Sequence, residues 1–204
     1  MTRRTLLASF ILAPFASMLS RWGAFRHIAS PGAGPRARYL PNVLLRTHEN
    51  KTVRFYDDLV KGKIVLINFM YAKCEGLCPR QTANLVQVQQ ALGKHVGRDI
   101  FMYSITLKPE QDSPQVLQEY ARAHRVKPGW LFLTGKGEDI EKLRRKFGFV
   151  DPDPVVDKDK SQHIGVVVYG NEALDRWAAC PALTEPGEIV RYVLWMVRPK
   201  KAQA

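Results

Sequence analysis

Apolar and polar residues alternate through "NVLLRTHENKTVRFYDDLVKGK", residues 42–63, on either side of Glu49 and Asn50. A period of two interrupted by turn formers predicts a β-hairpin, followed here by a short helical turn. The pattern then changes. "KIVLINFMY", residues 63–71, is an unbroken β-branched and aromatic run, the mark of a strand buried on both faces. After Pro79, which the first turn of a helix tolerates, Leu85, Val86, Val88, Gln89 and Leu92 follow a helical spacing that ends between Gly93 and Gly97. "DIFMYSITL" predicts a second buried strand, and "SPQVLQEYARAH" a second helix with Ser113 as N-cap and Pro114 at its first position. "GWLFLTG" reads as a short strand, "GEDIEKLRRKFG" as a helix closed by Gly148, and "DPDPVVDKDKSQH" as a polar loop. "IGVVVYG" and "EALDRWAA" predict an antiparallel pair turning at Gly170-Asn171, and "EPGEIVRYVLWMVRP" a last amphipathic helix. Strands alternating with helices in this order give an α/β sandwich with a mostly parallel central sheet and helices on both faces.

The first 20 residues break from that regularity. Arg3 and Arg4 precede an apolar stretch, Leu6 to Leu19, that is short for a bilayer span and is interrupted by Pro14. This pattern predicts a twin-arginine export signal that is either cleaved or kept as an anchor, and therefore a periplasmic domain. "SPGAGPRARYLPN" then reads as the end of a Gly/Pro-rich linker over residues 21–40. The expected divisions are a signal or anchor at 1–20, the linker, one domain over 41–199 and a basic tail at 200–204.

Composition narrows the function classes. With 204 residues, 46% of them apolar, the chain is long enough for one packed domain. The excess of 31 Lys+Arg over 19 Asp+Glu gives a net charge of +12. Those charges are scattered, with several flanking the apolar N-terminal segment and Lys200 and Lys201 in the tail. No basic stripe interleaved with aromatics is present, which argues against nucleic acid; attraction to an anionic membrane surface fits the distribution better.

Three cysteines remain to be explained. Cys74 and Cys78 follow the first buried strand, in the loop and at the start of the next helix, where parallel sheets place their chemistry at strand carboxyl ends. A thiol at a helix N-terminus feels the positive end of the macrodipole, which favours the thiolate. If helical geometry reaches back to Cys74, positions i and i+4 share a face and both sulfurs converge on one ligand. On these grounds alone the pair is a metal site, a redox dithiol or a structural disulfide. Cys180 reads as a small buried apolar side chain, with a resolving thiol as the alternative. His27, His48, His95 and His124 fall in the linker, a hairpin, a helix end and a helix surface, positions that suit solvated or capping roles. Trp130, Phe132, Trp177 and Trp195 lie on strand or helix positions and read as core. Asp151, Asp153, Asp157 and Asp159 lack the spacing of a calcium loop.

From about residue 41 to 197 the chain resembles the Sco/SenC family of thioredoxin-like copper proteins. "VLINFMYAKCEGLCP" matches its strand followed by C-x-x-x-C-P, "PEQDSPQVLQEYA" matches its P-E-x-D-[TS]-P-x-x-L-x-x-Y helix start, and His163 stands just before the penultimate strand. The resemblance implies a thioredoxin-like fold and copper held by Cys74, Cys78 and His163. It also implies delivery to the copper-containing subunit of cytochrome c oxidase or to another copper protein, or thiol chemistry on the two cysteines. Two thiolates suit Cu(I) and an imidazole makes Cu(II) acceptable too, while zinc competes by ligand type. Ordinary thioredoxin-type oxidoreductases carry a cis-proline where this chain has "SQHIG", and no threonine and arginine stand ready to activate a peroxidatic cysteine. Three departures from the family pattern stand out. Glu75 replaces the usual proline and should oppose thiolate formation. Gln162 replaces an aspartate, and "SITLKPEQD" is about two residues longer than the usual segment and lacks its first aspartate. A redox or copper sensor is the remaining alternative.

Overall fold

The computed structural model describes residues 34–160 and 165–197. The expected signal or anchor, most of the linker, the basic tail and the segment 161–164 lie outside the described residues. In chain order the elements are β1 (Leu44–Thr47), β2 (Thr52–Arg54), a π-helical turn (Phe55–Val60), β3 (Ile64–Met70), α1 (Leu77–Leu92) and β4 (Ile100–Thr106). They continue with α2 (Pro114–Ala123), β5 (Trp130–Gly135), α3 (Gly137–Lys146), α4 (Pro154–Lys158), β6 (Val166–Asn171), β7 (Arg176–Pro181) and α5 (Pro186–Val197).

The seven strands form one sheet of order β2-β1-β5-β4-β3-β6-β7. Its centre is parallel: β3 runs beside β4 from Ile64 opposite Ile100 to Met70 opposite Thr106, and β4 beside β5. The N-terminal hairpin and the β6–β7 pair are antiparallel, as the alternation predicts, and β6 runs against β3 with Ile64 opposite Asn171. β1 also closes against β5, in antiparallel fashion, so the hairpin extends the main sheet.

Alternation along the strands divides the core between two faces. Phe69 meets Phe147 and Phe149 beyond α3, and the Tyr103 hydroxyl donates to the Leu59 carbonyl in the π-helical turn. On the opposite face Trp130 Nε1 donates to Ser104 Oγ, which donates to Asn68 Oδ1, beneath Phe132 and Tyr120 of α2. α5 packs beside α1 on that face, through the fully buried Ile189 and Val193. The result is the thioredoxin-like α/β arrangement with helices on both faces.

Several boundaries depart from the sequence expectation for identifiable reasons. The polar segment after Gly148 contains the short helix α4, capped by Asp153, whose side chain accepts from Val155 N–H at 2.8 Å. It is held by Asp157, which takes both Nη atoms of the buried Arg144 at 2.6 Å. The β6–β7 turn falls at Glu172–Leu174, later than Gly170-Asn171. Gly170 stays in the strand because the Trp177 ring lies on it, and a Cβ there would come within 2.4 Å of that ring. Cys180 belongs to β7, opposite Val167, and is only half-buried. Trp195 is 56% exposed, so it is not a core residue. Residues 34–40, the described end of the expected linker, form turns fastened by an Arg36–Asp175 ion pair and by the buried Leu40.

Candidate functional site

The loop that carries the thiols leaves the carboxyl end of β3, and the neighbouring strand holds it there. Leu107 N–H donates to the Met70 carbonyl at 2.7 Å, and Ala72 N–H donates to Asp112 Oδ2 at 3.0 Å. The same buried carboxylate oxygen accepts from the Thr106 hydroxyl. Asp112 thus pins the backbone two residues before Cys74. Burial pushes its carboxyl above the ordinary aspartate value, with the Thr106 and Ala72 hydrogen bonds opposing.

Helix α1 begins at Leu77, so helical geometry does not reach back to Cys74. The sulfurs converge by another route. Gly76, at the N-cap, has no side chain with which to satisfy the first N–H groups of the helix, and Cys74 Sγ does so instead, accepting from Cys78 N–H at 3.4 Å. Gln81, one turn on and fully buried, donates from Nε2 to the Phe69 carbonyl at 3.3 Å and ties this first turn to the end of β3.

The two thiols are not joined in a disulfide, and they are unequal. Cys78 is fully buried, and burial together with its hydrogen bond to Cys74 pushes its thiol well above the usual range. Burial acts on Cys74 in the same direction, but there it is outweighed. Hydrogen bonds from the Cys78 thiol, the backbone N–H groups of Cys78 and Gly76, and the Tyr71 hydroxyl leave Cys74 below the ordinary thiol value. Tyr71, itself pushed up to about 12 by burial and by its bond to Cys74, lies under Lys108, whose Nζ is 4.1 Å from the ring centroid. Glu75 is exposed and Cys74 lies below the ordinary thiol value all the same, so the expected opposition of Glu75 to the thiolate does not prevail.

Of the residues expected from sequence at the site, the structure brings Cys74 and Cys78 together; His163 lies outside the described residues. Both flanks of its segment are described. On one side Gly165 sits against Leu77, where a Cβ would come within 2.4 Å of Leu77 Cδ2, and its carbonyl accepts from Ala182 N–H at 2.8 Å. On the other side Asp159 is close enough for its charge to raise Tyr71. Among the described residues no group of three or more His, Cys, Asp or Glu side chains is placed to hold a metal ion.

The other expected candidates lie elsewhere. Burial raises the Cys180 thiol, with a Thr184 hydrogen bond opposing. His48 Nδ1 accepts from Phe132 N–H at 3.1 Å, His95 pairs with Asp99 at 3.0 Å, and the His124 ring lies against Tyr120 at a 40° tilt. Sequence reasoning passed over Tyr71, Gln81 and Asp112 as site residues. Asp112 alone carried a signal, as the aspartate of "PEQDSP".

Parallel strands feeding a helix with one thiol just before it and a second in its first turn, followed by an antiparallel strand pair and a closing helix, define a thioredoxin-type dithiol protein. The chain belongs to the SCO1/SenC family, whose model matches residues 43–191. A SCO2-like protein of Rickettsia felis is 33% identical over 93 residues, 46% of this chain and 44% of the relative, so the match spans less than half of that relative's length. A putative copper-binding protein of Stutzerimonas stutzeri is 25% identical over 146 residues, 72% of this chain and 70% of the relative. Among solved structures, yeast Sco1 with copper bound superposes with a TM-score of 0.62 at 21% identity, covering 80% of this chain and 96% of the other.

Proposed function

We propose that this chain is an exported copper-binding protein that carries copper as cargo and delivers it to the copper-containing subunit of cytochrome c oxidase or to another copper protein. The observation that carries the reading is the convergence of two thiols not joined in a disulfide, Cys78 N–H reaching Cys74 Sγ at 3.4 Å, at the carboxyl edge of a parallel sheet. Soft sulfur donors suit Cu(I), and an imidazole nitrogen extends the set to Cu(II). We assign the third donor to His163. Two residues of chain, at most about 7 Å, separate it from Gly165, which contacts Leu77 between the two cysteines. Three protein donors leave a position open, which transfer to an acceptor requires. Copper-binding relatives and a copper-loaded structural neighbour support the choice of metal. The Arg3-Arg4 segment supports export to the periplasm, with the segment retained or removed.

The test is titration of the reduced protein with Cu(I) and Cu(II), followed by absorption and EPR, for wild type beside His163→Ala and Cys78→Ala. A stoichiometric site weakened by both substitutions is expected; one indifferent to both overturns the assignment.

The inequality of the two thiols favours a second activity, reduction of a partner's cysteines. The Cys74 thiolate attacks a partner disulfide sulfur, forming a mixed disulfide and releasing one partner thiolate. Cys78, giving up its proton, then attacks Cys74 Sγ, leaving a Cys74–Cys78 disulfide and the second partner thiol. His163→Ala separates the two readings, since it should abolish tight copper binding and leave this two-electron exchange largely intact.

A further inference from the structure

Helix α5 carries large apolar residues beyond its buried stripe. Ile189, Val193 and Met196 are buried in the core, while Leu194, Trp195 and Val197 are 39%, 56% and 44% exposed. A surface helix of a water-soluble domain normally turns a polar face outward, and large apolar residues grouped in the open mark a surface meant to be covered. The cover is indicated by the charges around it. The Arg176 guanidinium lies 5.6 Å from the Trp195 ring centroid, Arg191, paired with Glu188, shares the exposed side of α5, and Arg198, Lys200 and Lys201 follow in the sequence. Aliphatic residues beside a tryptophan, with Arg176 and Arg191 next to them and a basic sequence following, match the chemistry of an anionic bilayer interface.

The patch also sits where a membrane-facing surface would be useful. Trp195 packs under Arg176, and the Met196 carbonyl accepts from Asn171 Nδ2 at 3.0 Å, so this end of α5 lies at the β6–β7 turn. The chain enters the fold at the same turn. Arg36 N–H donates to Glu172 Oε1 at 3.3 Å, Arg36 pairs with Asp175, and Gly34 is against Glu172 and Tyr56. The first 33 residues, with their apolar stretch, therefore depart from this end. The thiols are at the other end: Ile64 opposes Asn171 at the near end of β3, and Cys74 follows its far end. The six residues of β6 between the turn and Gly165 span roughly 20 Å.

We propose that Leu194, Trp195 and Val197, with Arg176 and Arg191, form a second contact to an anionic lipid surface. This contact holds the domain with its β6–β7 turn toward the bilayer and its thiol loop toward the aqueous side. It is independent of what the thiols bind. The experiment uses the full chain with vesicles of phosphatidylcholine alone or mixed with phosphatidylglycerol, each containing brominated phosphatidylcholine as a quencher of tryptophan fluorescence. Wild type is compared with Trp195→Ser, and Leu194→Glu is followed in parallel. Lipid-dependent quenching should fall several-fold in Trp195→Ser while Trp22, in the first 33 residues, still reports association. Leu194→Glu should lower the Trp195 component, and that component should be stronger with phosphatidylglycerol. Equal quenching in wild type and Trp195→Ser overturns the proposal, as does a Trp195 component indifferent to lipid charge. Lipid-free self-association that Trp195→Ser abolishes would assign the patch to a second copy of the chain and also overturn it.

Discussion

Cys74 Sγ and the Cys78 backbone N–H are 3.4 Å apart although α1 starts only at Leu77, so a sulfur outside the helix serves as its N-terminal acceptor. This holds the Cys74 thiol below the ordinary thiol value, while burial raises that of Cys78 well above it. With limiting alkylating agent near neutral pH, label should accumulate on Cys74, and Cys78 should react only after unfolding. Peptide mapping checks this; equal labelling of the two would show that the hydrogen bonds do not favour Cys74.

Asp112 fixes the loop through a single oxygen that accepts from both Ala72 and Thr106. Asp112→Ala strands a buried N–H and a buried hydroxyl, and should lower stability by about 1–3 kcal/mol in urea unfolding. Asp112→Asn keeps an acceptor in place. The wild-type carboxyl is raised by burial, so its contribution to stability is present below the ordinary aspartate value and declines as pH rises through the folded value. Asp112→Asn should therefore flatten that decline and match or exceed wild type near neutrality; a loss equal to that of Asp112→Ala would refute it.

Much of this architecture is legible from hydrophobic period alone. β3 and β4 are continuous apolar runs because both of their faces are covered, and α2 announces itself through Ser113, whose Oγ accepts from Val116 N–H at 3.3 Å. The helix α4 was not legible although Asp153 and Pro154 start it as Ser113 and Pro114 start α2, because five residues carry no helical period and Asp157 reaches an arginine that charge patterning alone would leave in solvent. Trp195 misled for the opposite reason, since an apolar residue on an amphipathic helix is read as core unless the wrong side of the wheel is noticed. At the site, Cys74, Cys78 and the aspartate of "PEQDSP" were visible as spacing. The asymmetry between the thiols was not, because it depends on which N–H groups α1 leaves unpaired.

Gly170 and Trp177 give a local test of packing. A Cβ at Gly170 would lie 2.4 Å from Trp177 Cε3 and 2.8 Å from the Arg176 carbonyl, so ring and backbone would both have to give way. Gly170→Ala should cost roughly 1–3 kcal/mol. Near-UV circular dichroism and urea unfolding check this, and an unchanged midpoint would mean that β7 accommodates the methyl group.

Arg144 joins α3 to α4, and α4 leads toward His163. Its guanidinium, with a side chain only 5% exposed, binds Asp157 through both Nη atoms at 2.6 Å, binds both Glu141 carboxylate oxygens, and donates to the Phe149 carbonyl. The hydrogen bonds from Arg144 hold Glu141 down at about 2 and Asp157 well below the carboxylate range. A carboxylate depressed in the folded state contributes stability above its unfolded value that is lost as pH falls through the folded one. The network should therefore weaken between about 4.5 and about 2. Arg144→Met leaves Asp157, with a side chain 10% exposed, without its main cation and should cost about 3 kcal/mol near neutrality. It should also flatten the acid limb, because both carboxylates are then depressed less, Glu141 keeping Arg145 and Lys160 and Asp157 keeping the Asp151 N–H and Lys160. Arg144→Lys should rescue only partly, since an ammonium cannot reproduce the two-pronged contacts. Urea unfolding across that pH range, with hydrogen exchange over residues 151–160, reads both effects. An Arg144→Met variant that keeps the wild-type acid limb would show that the network does not set it.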